Sequence, residues 1–126
     1  MDETIKKIKT FKDLVVWQEG MNLVEMIYLQ TKPFPKEEMY GLTNQIRRAA
    51  MSIPANIAEG NGRKNRKEYL HFLSIANGSK TELETHLLIA KRLNFLSQEA
   101  FEQLQAQQQL VGRLLSALRK SLVVCP

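Results

Sequence analysis

Cysteine, glycine and proline are all scarce in this chain. Its one cysteine, Cys125, cannot form an intrachain disulfide, and we expect it to be an inert tail residue in a reducing cytoplasm. With 6 glycines and 4 prolines among 126 residues, collagen-like, low-complexity and glycine-rich all-β architectures are excluded. The N-terminus lacks a secretory signal pattern, and no apolar run approaches the roughly 18 residues of a membrane-spanning helix. We therefore expect one cytoplasmic domain over residues 1–126, with no membrane association.

Hydrophobic residues make up 44% of the chain, enough for a core, and they recur at helical spacing. The first stripe predicts a helix over residues 12–31. Thr10 and Asp13 resemble a capping box at its start, and Pro33 follows its end. The predicted core-facing residues are Leu14, Trp17, Met21, Val24 and Tyr28, widened by Leu23 and Ile27.

A second stripe predicts a helix over residues 41–60. It stops at Gly60 and Gly62, which can supply the left-handed conformation of a helix C-terminus. Pro54 lies inside this helix, removes one backbone hydrogen bond and predicts a kink. The apolar positions of the stripe are Leu42, Ile46, Ala49, Ala50, Ile53 and Ile57.

The third and fourth helices are predicted over residues 65–94 and 97–122, with Asn65 and Ser97 as N-caps. Gly78 is unfavourable inside the third helix, so we expect a close backbone contact there. The fourth helix presents glutamines on its outer face: Gln103, Gln105, Gln107, Gln108 and Gln109. Since the connections are short and no strand pattern competes, the predicted fold is all-α, an antiparallel up-down-up-down four-helix bundle.

Charge is unevenly distributed along the chain. Residues 41–80 hold seven basic and two acidic residues, and so carry an excess equal to the whole formal net charge of +5. Four of these cations lie at the predicted turn between the second and third helices, namely Arg63, Lys64, Arg66 and Lys67. Cations at a helix N-terminus oppose the helix dipole, so helix stability does not explain them, whereas an anionic partner does. The alternative is a solvated turn in which Glu59 and Arg63 form an ordinary ion pair.

Three segments carry a resemblance to a known family: Tyr40-Gly41-Leu42-Thr43, Arg47-Arg48-Ala49-Ala50 and Ser52-Ile53-Pro54-Ala55-Asn56-Ile57-Ala58-Glu59-Gly60. They resemble a bacterial four-helix-bundle family that takes its name from proteins encoded in intervening sequences of 23S rRNA genes. Relatives include the accessory variability determinant of diversity-generating retroelements. The resemblance implies structural roles for the motif residues Tyr40, Gly41, Pro54, Asn56, Glu59 and Gly60.

The resemblance also implies a ring-like homopentamer with a basic surface. The retroelement relative binds nucleic acid and a reverse transcriptase, which makes RNA, DNA or such an enzyme candidate partners of this chain. Arg47, Arg48 and Arg63 match basic positions of the family. The predicted nucleic-acid-binding residues are therefore Arg47, Arg48, Arg63, Lys64, Arg66 and Lys67. The sequence leaves open a protein-interaction scaffold in which Arg47 and Arg48 pair with Glu82 or Glu84, or with a neighbouring subunit.

Catalytic and metal-binding patterns are weak. Glu68 and His71 match one half of a di-iron motif, but Leu83 occupies the position three residues before His86, so the second half is missing. We therefore predict no metal, no cofactor and no catalytic residue, and interpret His86 as a satisfied core or interface side chain.

Overall fold

The computed structural model describes residues 8–124 and shows four α-helices. They are α1 (Val15–Thr31), α2 (Leu42–Asn61), α3 (Arg66–Arg92) and α4 (Gln98–Val124). Single turns of 3-10 helix at Phe11–Asp13 and Lys36–Glu38 precede α1 and α2. Within residues 8–124 there is no strand, and no helix is long and apolar enough to cross a membrane. Cys125 lies outside the described residues.

Each helix contacts its two neighbours around a closed ring, α1 with α2 and α4, and α3 with α2 and α4. Within the described part of the chain the diagonal pairs make no such contact. Short connections between consecutive helices make these neighbours antiparallel, so the predicted four-helix bundle is confirmed. The centre of the core consists of fully buried side chains: Leu23, Ile27, Ile46, Ile53, Ile57, Leu73, Leu83, Leu87, Leu104, Val111 and Leu115.

The first helix differs from the prediction at its start and on its buried face. Thr10 and Asp13 do form a capping box, but the box caps the 3-10 turn, and Leu14 is extended before α1 begins at Val15. The fully buried stripe of α1 is Val16, Gly20, Leu23, Ile27 and Thr31. This stripe differs from the predicted one because two of its positions are held by Gly20 and Thr31, which a search for large apolar residues does not find. A Cβ added to Gly20 would lie 3.5 Å from Cβ of Pro54, an ordinary van der Waals distance, so Gly20 packs against α2 but an alanine would also fit there.

The close approach between α2 and α3 is at Gly60 and not, as predicted, at Gly78. A Cβ at Gly60 would lie 2.8 Å from Cβ of Phe72, whereas one at Gly78 would meet nothing within 4 Å. The predicted left-handed glycine cap is also wrong, because Gly62 has φ −81° and none of the glycines described has positive φ. Gly60 is used for space, since no side chain fits between the helices there.

The left-handed residue is Asn94, with φ 62°, just beyond α3. The amide of Asn94 donates to the carbonyl of Lys91, and that of Phe95 donates to Ala90. These two bonds define a Schellman motif, which satisfies carbonyls at the helix end. The turn places the Phe95 ring 5.5 Å from that of Phe34, which closes this end of the core.

Gln108 does not coat the outer face of α4 as predicted. It is 1% exposed, and its Nε2 donates to the carbonyl of Lys80 at 3.4 Å. Its position is one helical turn from both Leu104 and Val111, so it lies on the apolar stripe. Gln107 is half-buried, and its Nε2 lies 2.8 Å from Oε1 of Glu19 on α1. This hydrogen bond is the main cause of the lowered pKa of Glu19, followed by a hydrogen bond from Asn22, while desolvation opposes both.

Candidate nucleic-acid interface

The structure divides the six predicted nucleic-acid-binding residues into two groups. Arg47 and Arg48 lie in the first half of α2, whereas Arg63, Lys64, Arg66 and Lys67 lie around the turn from α2 to α3. The fifteen residues from Arg48 to Arg63 correspond to about 22 Å of helix. The two groups therefore do not form one compact site. We call the turn with its four cations the basic corner.

Arg63 makes two contacts within the protein at the basic corner. Its Nη2 lies 3.2 Å from Oε2 of Glu59, which confirms the ion pair left open by the sequence. Its guanidinium also lies 4.7 Å from the centroid of the Phe72 ring on α3. Arg63 thus joins the end of α2 to the first turns of α3, and only part of its donor capacity remains for a ligand.

Lys64, Arg66 and Lys67 are all exposed at the start of α3. Asn65 is the N-cap, as predicted, and its Oδ1 accepts the amide of Glu68 at 2.8 Å. The side chains of Asn65 and Glu68 also bond to each other, at 2.9 Å. The cap therefore satisfies one of the helix-start amides, which leaves the cationic side chains as the main means of binding an anion.

Further cations lie at the same end of the bundle. The last turns of α4 run beside the first turns of α3, since Arg119 donates to the hydroxyl of Ser74 at 3.4 Å. The turn that holds Lys12 contacts α2. We call this end, with the basic corner, Lys12, Arg119 and Lys120, the basic end. The α4 cations follow from the sequence only once the antiparallel arrangement brings the end of α4 to the start of α3.

The opposite end of the bundle is electrically mixed. Within the described residues, its basic side chains are Lys32, Lys36, Arg47, Lys91 and Arg92. Its acidic residues are Glu37, Glu38, Glu99 and Glu102. Among residues 8–124, the carboxylates at the basic end are those of Asp13, Glu19, Glu59 and Glu68, against eight cations when Lys9 is added to the seven named above. The two ends therefore differ strongly in charge, which an account of the net charge alone does not show.

Arg47 makes its contacts within the bundle. Its Nε donates to the hydroxyl of Thr31 at 3.0 Å, and its guanidinium lies 4.5 Å from the centroid of the Tyr28 ring. Thr31 is buried, and its hydroxyl donates a hydrogen bond to the carbonyl of Ile27. Arg47 thereby fastens α2 to the last turn of α1.

Arg48 lies on the other side of α2, at a small polar pocket between α2 and α3 of about 160 Å³. Ser52 and Ser79 line this pocket and join the two helices through a hydroxyl contact of 2.8 Å. Glu82 lines it too, but within residues 8–124 it pairs with His86, at 3.2 Å, and neither arginine forms an ion pair with it. The pairing of Arg47 and Arg48 with Glu82 or Glu84, which the sequence left open, is thus not observed among the described residues.

The family-motif residues have separate places in the fold. Tyr40 is 95% exposed and makes no packing contribution to the bundle. Gly41 leaves room for the Glu38 side chain, whose Oε1 accepts the amide of Leu42 and caps α2. The helix continues through Pro54, and Asn56 donates to both oxygens of Ser52, at 2.8 Å and 2.9 Å.

The two histidines, His71 and His86, have different surroundings and are fifteen residues apart in sequence. His71 packs against Phe72, with 5.6 Å between the ring centroids. His86 is half-buried, and while its Nε2 contacts Glu82 its Nδ1 is buried without a partner. Among the described residues, no three His, Cys, Asp or Glu side chains gather in a way that could hold a metal ion.

Comparisons with known proteins agree with this architecture. The family model described as 23S rRNA-intervening sequence protein matches residues 12–117. A crystal structure of a protein of unknown function from the S23 ribosomal protein family of Bacteroides thetaiotaomicron superposes with a TM-score of 0.77 at 23% identity, covering 84% of this chain and 99% of that one. No curated protein matches this chain in sequence. The match extends over most of the bundle, and the chain belongs to the 23S rRNA-intervening sequence protein family.

Proposed function

We propose that this protein is a non-enzymatic, oligomeric nucleic-acid-binding protein or ribonucleoprotein adaptor of the cytoplasm, and that it binds phosphates through the basic end. The observation that carries the proposal is the convergence of cations from three separate chain segments on one end of the bundle. Lys12, the basic corner and Arg119 with Lys120 meet there, while the opposite end has only one more cation than carboxylates among the described residues.

The clustered cations of the basic end are costly to the isolated protein. Each cation in the first turn of α3 opposes the helix dipole, and neighbouring cations repel one another. Phosphate groups remove both penalties, because they neutralise the cations and release condensed counterions. Exposed lysines such as Lys64 and Lys67 contact phosphates without reading bases, so we expect binding that depends little on sequence.

An oligomer is part of the proposal. Between α1 and α2 lies an open, almost wholly apolar groove of about 310 Å³, lined by Trp17, Met21, Val24, Met51, Pro54, Ala55 and Ala58. A second apolar depression lies on the outer face of α3, at Leu88 and Ile89. These are different surfaces, so contact between them is heterologous, and it forms a ring when the rotation between subunits closes. The family resemblance implies five subunits. A ring multiplies the basic ends and strengthens binding to a long polyanion.

The nucleic-acid part is tested by fluorescence anisotropy with RNA and DNA oligonucleotides at low and moderate salt. We compare the double variant Lys64→Ala/Lys67→Ala with Lys32→Ala/Lys36→Ala, which removes the same charge from the opposite end. The corner variant should bind about tenfold more weakly for each lost contact worth about 1.4 kcal/mol. Equal affinity of both variants, or no binding by the wild type, contradicts the proposal.

The oligomer is tested by sedimentation of the wild type and of two α1 variants. Met21 lines the groove and is 40% exposed, whereas Val15 is 56% exposed on the other side of α1. Met21→Lys should dissociate the assembly, and Val15→Lys should leave it intact. A monomeric wild type contradicts the oligomer.

The alternative function is a protein-interaction scaffold that binds no nucleic acid itself, with a reverse transcriptase among the candidate partners. The observation that favours it is Tyr40, which is 95% exposed beside Met39 at 45%. Tyrosine is common among the residues that dominate protein interfaces. Tyr40→Ala would then abolish capture of a protein partner in nuclease-treated extract, while oligonucleotide binding by the purified protein would be absent.

A further inference from the structure

A groove along the seam of α3 and α4 opens at the basic end. It has a volume of about 420 Å³ and is lined by Leu70, Ser74, Ser116, Arg119, Lys120 and Val123. Apolar carbon atoms form most of its surface, to which the half-buried Leu70 and the 66% exposed Val123 contribute. The volume lies within the range of about 300–1,000 Å³ that is typical of ligand sites.

Cations border this groove on both helices. On α4, Arg119 and Lys120 belong to its lining, and the Arg119 guanidinium is steadied by the hydroxyl of Ser74 at 3.4 Å. On α3, Lys67 is one helical turn before Leu70, so the basic corner continues into the groove without interruption. An apolar floor with Lys67 near one end and Arg119 and Lys120 along α4 is complementary to a ligand with a flat apolar part and flanking negative charges.

We propose that the α3–α4 groove accepts an unpaired base of a single-stranded nucleic acid. This inference rests on the proposed nucleic-acid binding at the basic end and names the class of strand. The base lies against Leu70 and Val123, the hydroxyls of Ser74 and Ser116 meet its polar edge, and Lys67, Arg119 and Lys120 hold the phosphates on either side. Apolar side chains can sandwich an extruded base, and hydroxyls can both donate to and accept from base edges.

A duplex does not use this groove. Its bases are stacked and paired, so only phosphates reach the protein and the apolar floor contributes nothing. The rings near the basic corner are themselves engaged, since Phe72 lies under Arg63 and the Tyr69 hydroxyl accepts a hydrogen bond from Asn61. The groove is therefore a surface at this end on which a free base can be buried beside cations.

The test compares a single-stranded oligonucleotide with a duplex of the same sequence, using anisotropy on the full-length protein. The variant Leu70→Ser/Val123→Ser removes apolar floor and leaves every charge in place. Leu29→Ser/Leu93→Ser is the matched control toward the opposite end of the bundle, where these residues are 63% and 53% exposed. Circular dichroism establishes that each variant is folded.

We expect the groove variant to lose about tenfold in affinity for the single strand, as for one stacked base, and less than twofold for the duplex. Arg119→Ala should weaken both. Crosslinking of a 4-thiouridine oligonucleotide should map to residues 70–74 and 116–123. Equal losses for strand and duplex, no loss, or crosslinks confined to the basic corner overturn the base site while leaving phosphate binding standing. If neither nucleic acid binds the wild type, the proposed function itself is overturned.

Discussion

The guanidinium of Arg63 lies over the ring of Phe72, 4.7 Å from its centroid. The same side chain pairs with Glu59 on α2 at 3.2 Å, so it connects the end of one helix with the start of the next. Arg63 is therefore a structural residue of the basic corner as well as a phosphate candidate. Loss of binding in an Arg63 variant would mix both effects, whereas Lys64 and Lys67 report on binding more cleanly.

Gly60 near the end of α2 and Gly78 inside α3 should respond in opposite ways to substitution by alanine. Gly60→Ala should destabilise the protein by about 1–3 kcal/mol, because its Cβ would be forced to 2.8 Å from that of Phe72. Gly78→Ala should stabilise it by about 0.5–1 kcal/mol, because alanine is the better helix former and the space is empty. Urea unfolding of both variants measures the two free energies. Changes of the same sign would contradict the assignment of the close contact to Gly60.

Arg47 should matter for stability more than for nucleic-acid binding. Arg47→Ala removes the hydrogen bond to Thr31 and the contact with the Tyr28 ring, so we expect a loss of about 1–2 kcal/mol in the free energy of unfolding. Oligonucleotide affinity of the folded variant should change less than twofold. A large loss of affinity with unchanged stability would place Arg47 in the binding surface instead.

The positive φ of 62° at Asn94 predicts a clear order among substitutions. Asn94→Gly should be neutral or stabilising, because glycine adopts this conformation without strain. Asn94→Val should cost about 1–2 kcal/mol, since a β-branched side chain is poorly tolerated there. Thermal unfolding of the two variants checks this, and equal melting temperatures would argue against the Schellman turn.

Glu19 gives the stability a dependence on pH. Its pKa is lowered, chiefly by the hydrogen bond from Gln107 and then by that from Asn22. A carboxyl whose pKa is lower in the folded state stabilises the fold above its unfolded pKa, and that stability is lost as the pH falls through the folded pKa. Gln107→Ala should therefore cost about 1 kcal/mol at pH 7 and less at pH 3. A loss of stability that does not vary with pH would show that Gln107 does not lower the pKa of Glu19.

Periodicity and capping residues predicted most of the fold. Four helices, their order and the caps at Asn65 and Ser97 followed from local patterns, and the helix ends were correct to within a few residues. Features that depend on a partner helix could not be predicted in this way. The sequence does not distinguish Gly60 from Gly78, and only the neighbouring Phe72 side chain shows that a Cβ would clash at Gly60.

The candidate site was predicted in part for a similar reason. The basic corner is contiguous in sequence and was visible as a cluster of charge. Arg119 and Lys120 join it only through the packing of α4 against α3. Arg47 and Arg48 match basic positions of the family. The fifteen residues from Arg48 to Arg63 nevertheless separate them from the basic corner by about 22 Å along α2.

The salt dependence of duplex DNA binding tests the central claim most directly. For each phosphate contact, the slope of log K against log salt concentration should be steeper by about 0.9. Lys64→Ala/Lys67→Ala should therefore make the slope shallower by about 1.8, since two such contacts are lost. The control Lys32→Ala/Lys36→Ala should leave it unchanged despite the same loss of charge. Identical slopes for the two variants would contradict phosphate binding at the basic end.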